Sequence, residues 1–280
     1  MTRAASARLA RALKLALLTA LGALWLAPVA VIVMNSFKGK LSISAQPFAL
    51  PNANTFAGLA NYLSGIEKTG FPRAFGLSLY ITALSVAALL LLCSMTGWYV
   101  ARVSTRGART LYFLLIFSMV VPFQMVMFTM SFVANLLRLD NPTGIVAIYT
   151  GFGAGLSVFL FAGFAQGVPI EIEEAAFMDG CGAIRAFFSI VLPVLRPTAV
   201  TVAILQAMWI WNDYLLPYLL LGSSYRTIPI AVQYLRGGYG AVDMGAMMAV
   251  LVLAILPIVA FYLLGQRAII GGVLAGAVKG

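Results

Sequence analysis

The sequence predicts an all-α integral membrane protein with about six transmembrane helices, and three observations carry that reading. Of the 280 residues, 62% are apolar and only 9% are charged, whereas a soluble domain carries about a quarter of its residues as charges. The apolar residues come in blocks near the length of about twenty that a helix needs to cross the hydrocarbon core. The formal charge of +10 gathers at the ends of those blocks. That is a pattern of topology control and anionic lipid contact, not of nucleic-acid binding.

The blocks are 12–34, 74–100, 110–135, 143–165, 198–221 and 243–266. The first follows Arg3, Arg8, Arg11 and Lys14 and has signal-peptide character. Its apolar run continues to about Met34 without a clear small-residue cleavage site, so it reads as an uncleaved span. Residues 35–73 form a long connection rich in Pro, Asn, Ser and Gly, which is turn chemistry. With the N-terminus inside, the cytoplasmic segments hold eleven Lys and Arg, and the outside holds seven: Lys38, Lys40, Lys68, Arg73, Arg138, Arg226 and Arg236. Arg102, Arg106 and Arg109 make the bias sharpest in the short loop 101–109, and an even number of spans returns the C-terminus to the cytoplasm. The expected division is a tail, first span and external loop over 1–70, a transmembrane domain over 71–270, and a cytoplasmic tail over 271–280.

Residues 166–197 are the least lipid-like stretch. They hold four of the eight acids, Glu171, Glu173, Glu174 and Asp179. Pro169 suits the first position of a short helix, and the acids after it sit where the helix dipole favours negative charge. Gly180 and Gly182 permit a sharp turn. A second short helix from about Ile184 to Pro193 leads into the next span. On propensity alone, an interfacial helix that merely joins two spans explains the segment equally well.

The spacing points further. Glu174-Ala175-Ala176, three residues, Gly180, nine residues, Ile190, one residue and Leu192-Pro193 resembles the EAA motif of ABC importer permeases. The surrounding "VPIEIEEAAFMDGCGAIRAFFSIVLPVLRP", the later "WIWNDYLLPYLLL" and the tail "QRAIIGGVLAGAVKG" are similar to the MalG-like carbohydrate-uptake permeases. So are "NSFKGK", "NYL" and "VPFQMV" nearer the N-terminus. Leu77, where relatives usually carry Asn, and Trp98, where a small residue is more usual, depart from the pattern. The resemblance implies the type I importer (MetI-like) permease fold in a bacterial inner membrane. It implies a coupling helix in which Glu173, Glu174, Ala175, Ala176, Met178, Asp179 and Gly180 meet an ATPase subunit. The implied partners are a second, MalF-like permease in a heterodimer, two copies of an ABC ATPase, an extracytoplasmic solute-binding protein and a saccharide. Ala175 and Ala176 are small enough for a close approach, Glu174 can make a charge-assisted hydrogen bond, and Gly180 sets the hinge angle.

Within the apolar blocks, Asn212 and Asp213 are the main polar intrusion. A carboxylate there should face the bundle interior or a water-filled path. Trp209, Trp211 and Tyr214 flank it, and aromatic rings beside a hydrogen-bonding acid suit a sugar. Two readings stand: these residues line a substrate pathway, or they tie neighbouring helices together. Gln124 after Pro122 is a second candidate with the same alternatives, while Met125, Met127 and Met130 read as packing.

Lys14 sits at the very start of the first block and no other Lys or Arg falls inside a span, which favours a neutral saccharide over an anionic solute. Two cysteines and no histidine leave no disulfide framework and no metal site. There is no GxxxxGK[ST] loop, since Gly39-Lys40 is followed by Leu41, so ATP and Mg²⁺ belong on partner subunits and this chain binds no cofactor of its own. The competing readings are the same importer for glycerol phosphate, a polyamine or an amino acid, and an ATP-independent carrier.

Overall fold

The computed structural model describes residues 3–222, 224–235 and 243–277, so Arg236 and Lys279 of the charge count lie outside the described residues. The helices in chain order begin with α1 (Arg3–Ser36), α2 (Lys40–Ala45), α3 (Ala60–Thr69), α4 (Phe71–Arg102), α5 (Arg106–Val120), α6 (Phe123–Leu136) and α7 (Gly144–Ala165). They continue with α8 (Glu171–Met178), α9 (Ala183–Ala186), α10 (Leu192–Val194), α11 (Arg196–Asn212), α12 (Leu215–Leu220), α13 (Ile228–Tyr234) and α14 (Met244–Ala277). Among the described residues, four stretches are long and apolar enough to cross a membrane: Ala10–Ser36, Phe71–Arg102, Gly144–Ala165 and Met244–Leu263. Two bent pairs raise the number to as many as six.

The chain forms two compact units, residues 1–71 with 231–256 and residues 72–230 with 257–280. In the first, the chain leaving α1 is pinned by side chains. Asn61 Nδ2 donates to the carbonyls of Ser36 and Lys38, each at 2.8 Å. Ser36 Oγ and Tyr62 Oη lie 2.7 Å apart. The Lys38 ammonium is enclosed and donates to the Gln46 carbonyl at 2.9 Å. A Cβ on Gly245 would sit 2.4 Å from the Asn61 side chain, so glycine is what allows α14 to start there. Asp243 caps α14 by accepting from the Ala246 amide and pairs with Lys68 near the end of α3.

In the second unit, close backbone approaches set the packing. A Cβ on Gly97 would lie 2.6 Å from the Phe161 Cβ, so α4 and α7 meet nearly backbone to backbone. Gln206, 2% exposed on α11, donates to the Gly153 carbonyl and to Ser157 Oγ on α7, each at 3.1 Å. A buried amide with such partners ties two helices together where water is absent.

Two expected spans are not single straight helices. Block 110–135 is split into α5 and α6, bent by 109°. Pro122 has no N–H and restrains its predecessor to extended geometry, and Val121 has φ −77°, ψ 113°. Block 198–221 is interrupted at Asp213, which is also extended (φ −72°, ψ 124°) before α12 begins. The arm after the acidic hairpin, Ala183–Val194, includes a π-wound turn over Phe187–Val191 and meets α11 at 76°. The amide of Leu192 donates to the carbonyl of Phe187. That widened turn relieves the crowding the Pro193 ring would cause in a regular helix.

The ion pair in the first unit makes acid a specific probe. Burial pushes the Asp243 carboxyl upward, but the hydrogen bonds from Lys68 and the Ala246 amide and the charges of Lys68 and Lys40 outweigh it, and the net shift is downward. The pair therefore adds stability that is present above the ordinary carboxylate range and is lost as pH falls through the lowered value. Both partners are partly exposed, so the contribution is below about 1 kcal/mol. Hydrogen exchange at Ala246 and Met247, corrected for intrinsic rates, should lose protection in acid, and Asp243→Asn should remove that dependence while keeping a capping side chain.

Candidate functional site

The acidic segment folds as a hairpin for local reasons. The Ile170 carbonyl accepts from the amides of Glu173 (2.9 Å) and Glu174 (3.0 Å) and opens α8 two residues later than Pro169 suggests. Glu171, Glu173 and Glu174 fall in its first turn, where orphan amides favour carboxylates. At the other end the Cys181 amide donates to Ala176 (2.9 Å) and the Gly180 amide to Phe177 (3.0 Å). This is a Schellman closure, and it places Gly180 at φ +78°. Gly182 has φ −70° and needs no glycine freedom.

The helix has two distinct faces. Met178 is 88% exposed, and Glu174, Ala175, Asp179 and Gly180 are exposed beside it. Glu173 and Ala176 are turned inward, against this chain's own helices. The small size of Ala176 therefore serves packing within the chain, whereas Ala175 remains available to a partner.

Glu173 is held by α4. Its Oε1 accepts from Arg102 Nε (2.9 Å) and Nη2 (2.7 Å), and its Oε2 accepts from Trp98 Nε1 (2.9 Å). Arg102 Nη2 also donates to the Val168 carbonyl at 2.9 Å. The side chains are 16% and 5% exposed, so each charge depends on the other. Removing one partner of a buried pair typically costs about 3–5 kcal/mol, because the remaining charge is left uncompensated.

The polar break in the fifth block is satisfied internally. Asp213 Oδ2 accepts from Tyr149 Oη at 2.9 Å and Oδ1 from the Leu215 amide at 3.0 Å, so the carboxylate caps α12 and ties it to α7. The Tyr149 ring stands edge-on to Trp209 at 5.4 Å. Asn212 donates to the Met208 carbonyl at 2.7 Å, Trp211 meets Phe75 edge-on at 5.5 Å, and Tyr214 stacks on Tyr218 at 5.1 Å. Gln124 is exposed in the first turn of α6. A cavity of about 180 Å³ lies between α4, α11 and α14, lined by Leu79, Thr82, Val86, Met208, Trp211 and Phe261 among others. Of the five residues expected along a pathway, only Trp211 lines it, and its apolar walls suit hydrocarbon better than hydroxyls.

Residues 93–273 match the family described as binding-protein-dependent transport system inner membrane component, a stretch that contains both the hairpin and the polar break. The chain belongs to this family. The permease is 38% identical, over 92% of its own length and 93% of the relative's, to the probable starch degradation products transport system permease protein AmyC of Thermoanaerobacterium thermosulfurigenes. It is 36% identical to the multiple sugar-binding transport system permease protein MsmG of Streptococcus mutans, over 95% and 96%. Its fold is that of ABC importer permeases. A chain of a bacterial ABC transporter involved in import of the acidic polysaccharide alginate superposes with a TM-score of 0.75 at 20% identity, over 95% of this chain and 98% of that one. A chain of the inward-facing MetNI methionine ABC transporter gives 0.53 at 19% identity, over 71% and 94%.

Three residues of the permease's sites escape a reading of its sequence. Arg102 counts there only as a topology cation, Tyr149 carries no signal linking it to Asp213, and Gln206 sits unremarked in an apolar run. Trp98 is noticed only as a departure from related sequences. For the hairpin, Gly180→Val forces a β-branched side chain into a left-handed backbone at about 1–2 kcal/mol. Solute uptake by cells carrying this variant should fall several-fold while the membrane-inserted amount, read by immunoblot, stays at the wild-type level.

Proposed function

We propose that this permease is a translocation subunit of an ATP-driven importer for a neutral saccharide or oligosaccharide. It would be non-enzymatic itself and would place its N- and C-termini in the cytoplasm. Its partners would be a second permease, two ATPase subunits that bind ATP and Mg²⁺, and an extracytoplasmic binding protein that delivers the sugar. The translocation domain would span 71–270, and 171–180 would seat in an ATPase cleft through Glu174, Ala175, Met178, Asp179 and Gly180. The single observation that carries this reading is the hairpin itself. It offers an exposed acidic and small-residue face, backed by a buried ion pair, at the spacing of an ABC importer coupling motif. The saccharide assignment is supported by the relatives, one a permease for starch degradation products and the other of a multiple sugar-binding transport system. The confinement of Lys and Arg to the ends of the spans points the same way.

Deletion of the gene, with uptake of labelled maltotriose, raffinose and arabinotriose compared with a labelled amino acid and a polyamine, tests the substrate class. Uptake of at least one oligosaccharide should drop more than tenfold and return with the intact gene. Unchanged saccharide uptake with loss of amino-acid or polyamine uptake would overturn the saccharide reading and leave the importer in place.

A further inference from the structure

We propose that Trp98, Arg102 and Glu173 form a latch that makes α8 and the C-terminal end of α4 move as one rigid piece, and that Trp98 and Arg102 are therefore positioning residues for transport. The inference rests on the importer reading above and adds the route by which displacement of α8 enters the spans.

Along the chain, α8 is held only by short connections. One follows α7 through Gln166–Ile170, and the other turns at Gly180, whose φ of +78° is a natural pivot. A helix of eight residues attached in this way would tilt within its connections when pushed. The side chains of α4 remove that freedom. Both oxygens of Glu173 are taken by Arg102 and Trp98. The same guanidinium grips the Val168 carbonyl, so the connection ahead of α8 is clamped as well as the helix. The other face of the contact is also tied, because the Trp98 ring lies 5.6 Å from that of Phe187 in the π-wound arm after the hairpin. One residue earlier, Gly97 lets α4 touch α7 at Phe161. The last turn and a half of α4 thus meets α7, α8 and the second arm together.

The receiving element is suited to carry a displacement. α4 runs unbroken for 32 residues, whereas α5–α6 bends by 109° and α11 stops at Asn212. Motion arriving at residues 97–102 passes along a continuous rod past Val86, Thr82 and Leu79, which line the 180 Å³ cavity. Farther on, Ser78 Oγ accepts from the Ile228 amide at 2.9 Å. A displacement delivered through α11 would instead be divided at its end.

The test uses the complete complex purified from its own host and reconstituted in liposomes. Its readout is the amount of sugar carried per ATP hydrolysed, the probe being whichever of maltotriose, raffinose and arabinotriose the deletion strain fails to take up. Trp98→Phe keeps an aromatic ring facing Phe187 and deletes the N–H donor together with the five-membered part of the indole. Arg102→Lys keeps the charge and loses the fork and the Val168 bond. Each should lower the ratio at least threefold, and the double variant at least tenfold, because α8 then yields without moving α4. Variants that only weaken folding lose transport and hydrolysis in proportion, so an unchanged ratio in both single variants and in the double would overturn the latch. If the wild-type chain co-purifies with no ATPase, the importer reading falls instead, and the two failures are told apart.

Discussion

Backbone N–H and C=O groups find no water in hydrocarbon, so a chain that bends inside a membrane must supply a substitute partner at every bend. This permease bends repeatedly, and each bend is built around a residue that solves that problem in its own way. Pro122 has no N–H to leave bare. Asp213 accepts the Leu215 amide at the start of α12 and is itself anchored by Tyr149. Outside the spans the same device recurs, where the π-wound turn lets the Leu192 amide reach the Phe187 carbonyl just ahead of Pro193. Gln206 does related work without a bend, turning a polar intrusion into a cross-link between α11 and α7. The packing of the second unit follows from where these substitutions fall.

The same constraint separates the two candidate regions chemically. Asp213 has partners on both oxygens from within the chain, and this favours the structural reading of the "WIWNDY" stretch over a place in a polar path. The hairpin behaves differently. Glu173 is consumed internally, but its neighbour Glu174 is left exposed together with Ala175, Met178, Asp179 and Gly180. An exposed charged face backed by a desolvated ion pair is stiff where it is held and free where it is offered, which is what a docking element requires.

How much of this was legible in the sequence depended on the separation between cause and effect. The hairpin was legible because its bonds are local: the Ile170 carbonyl serves residues three and four positions on, and Gly180 closes the turn beside it. The long spans were legible by length and hydropathy. The break at Pro122 was hidden because block 110–135 has the right length for one crossing, and a proline alone does not say whether a helix kinks gently or folds back. The ties of Arg102 to Glu173 and of Tyr149 to Asp213 join residues 71 and 64 positions apart. No local pattern encodes such pairs, since an arginine at a span end looks the same whether it meets lipid phosphate or a buried carboxylate.

The two-faced character of α8 has an evolutionary consequence. Glu173 and Ala176 answer to this chain's interior, while Glu174, Ala175 and Met178 answer only to whatever lies opposite. Substitutions on one side leave the other side's requirements untouched. A lineage can therefore change what this face accommodates by editing a few outward positions, without re-engineering the spans behind them.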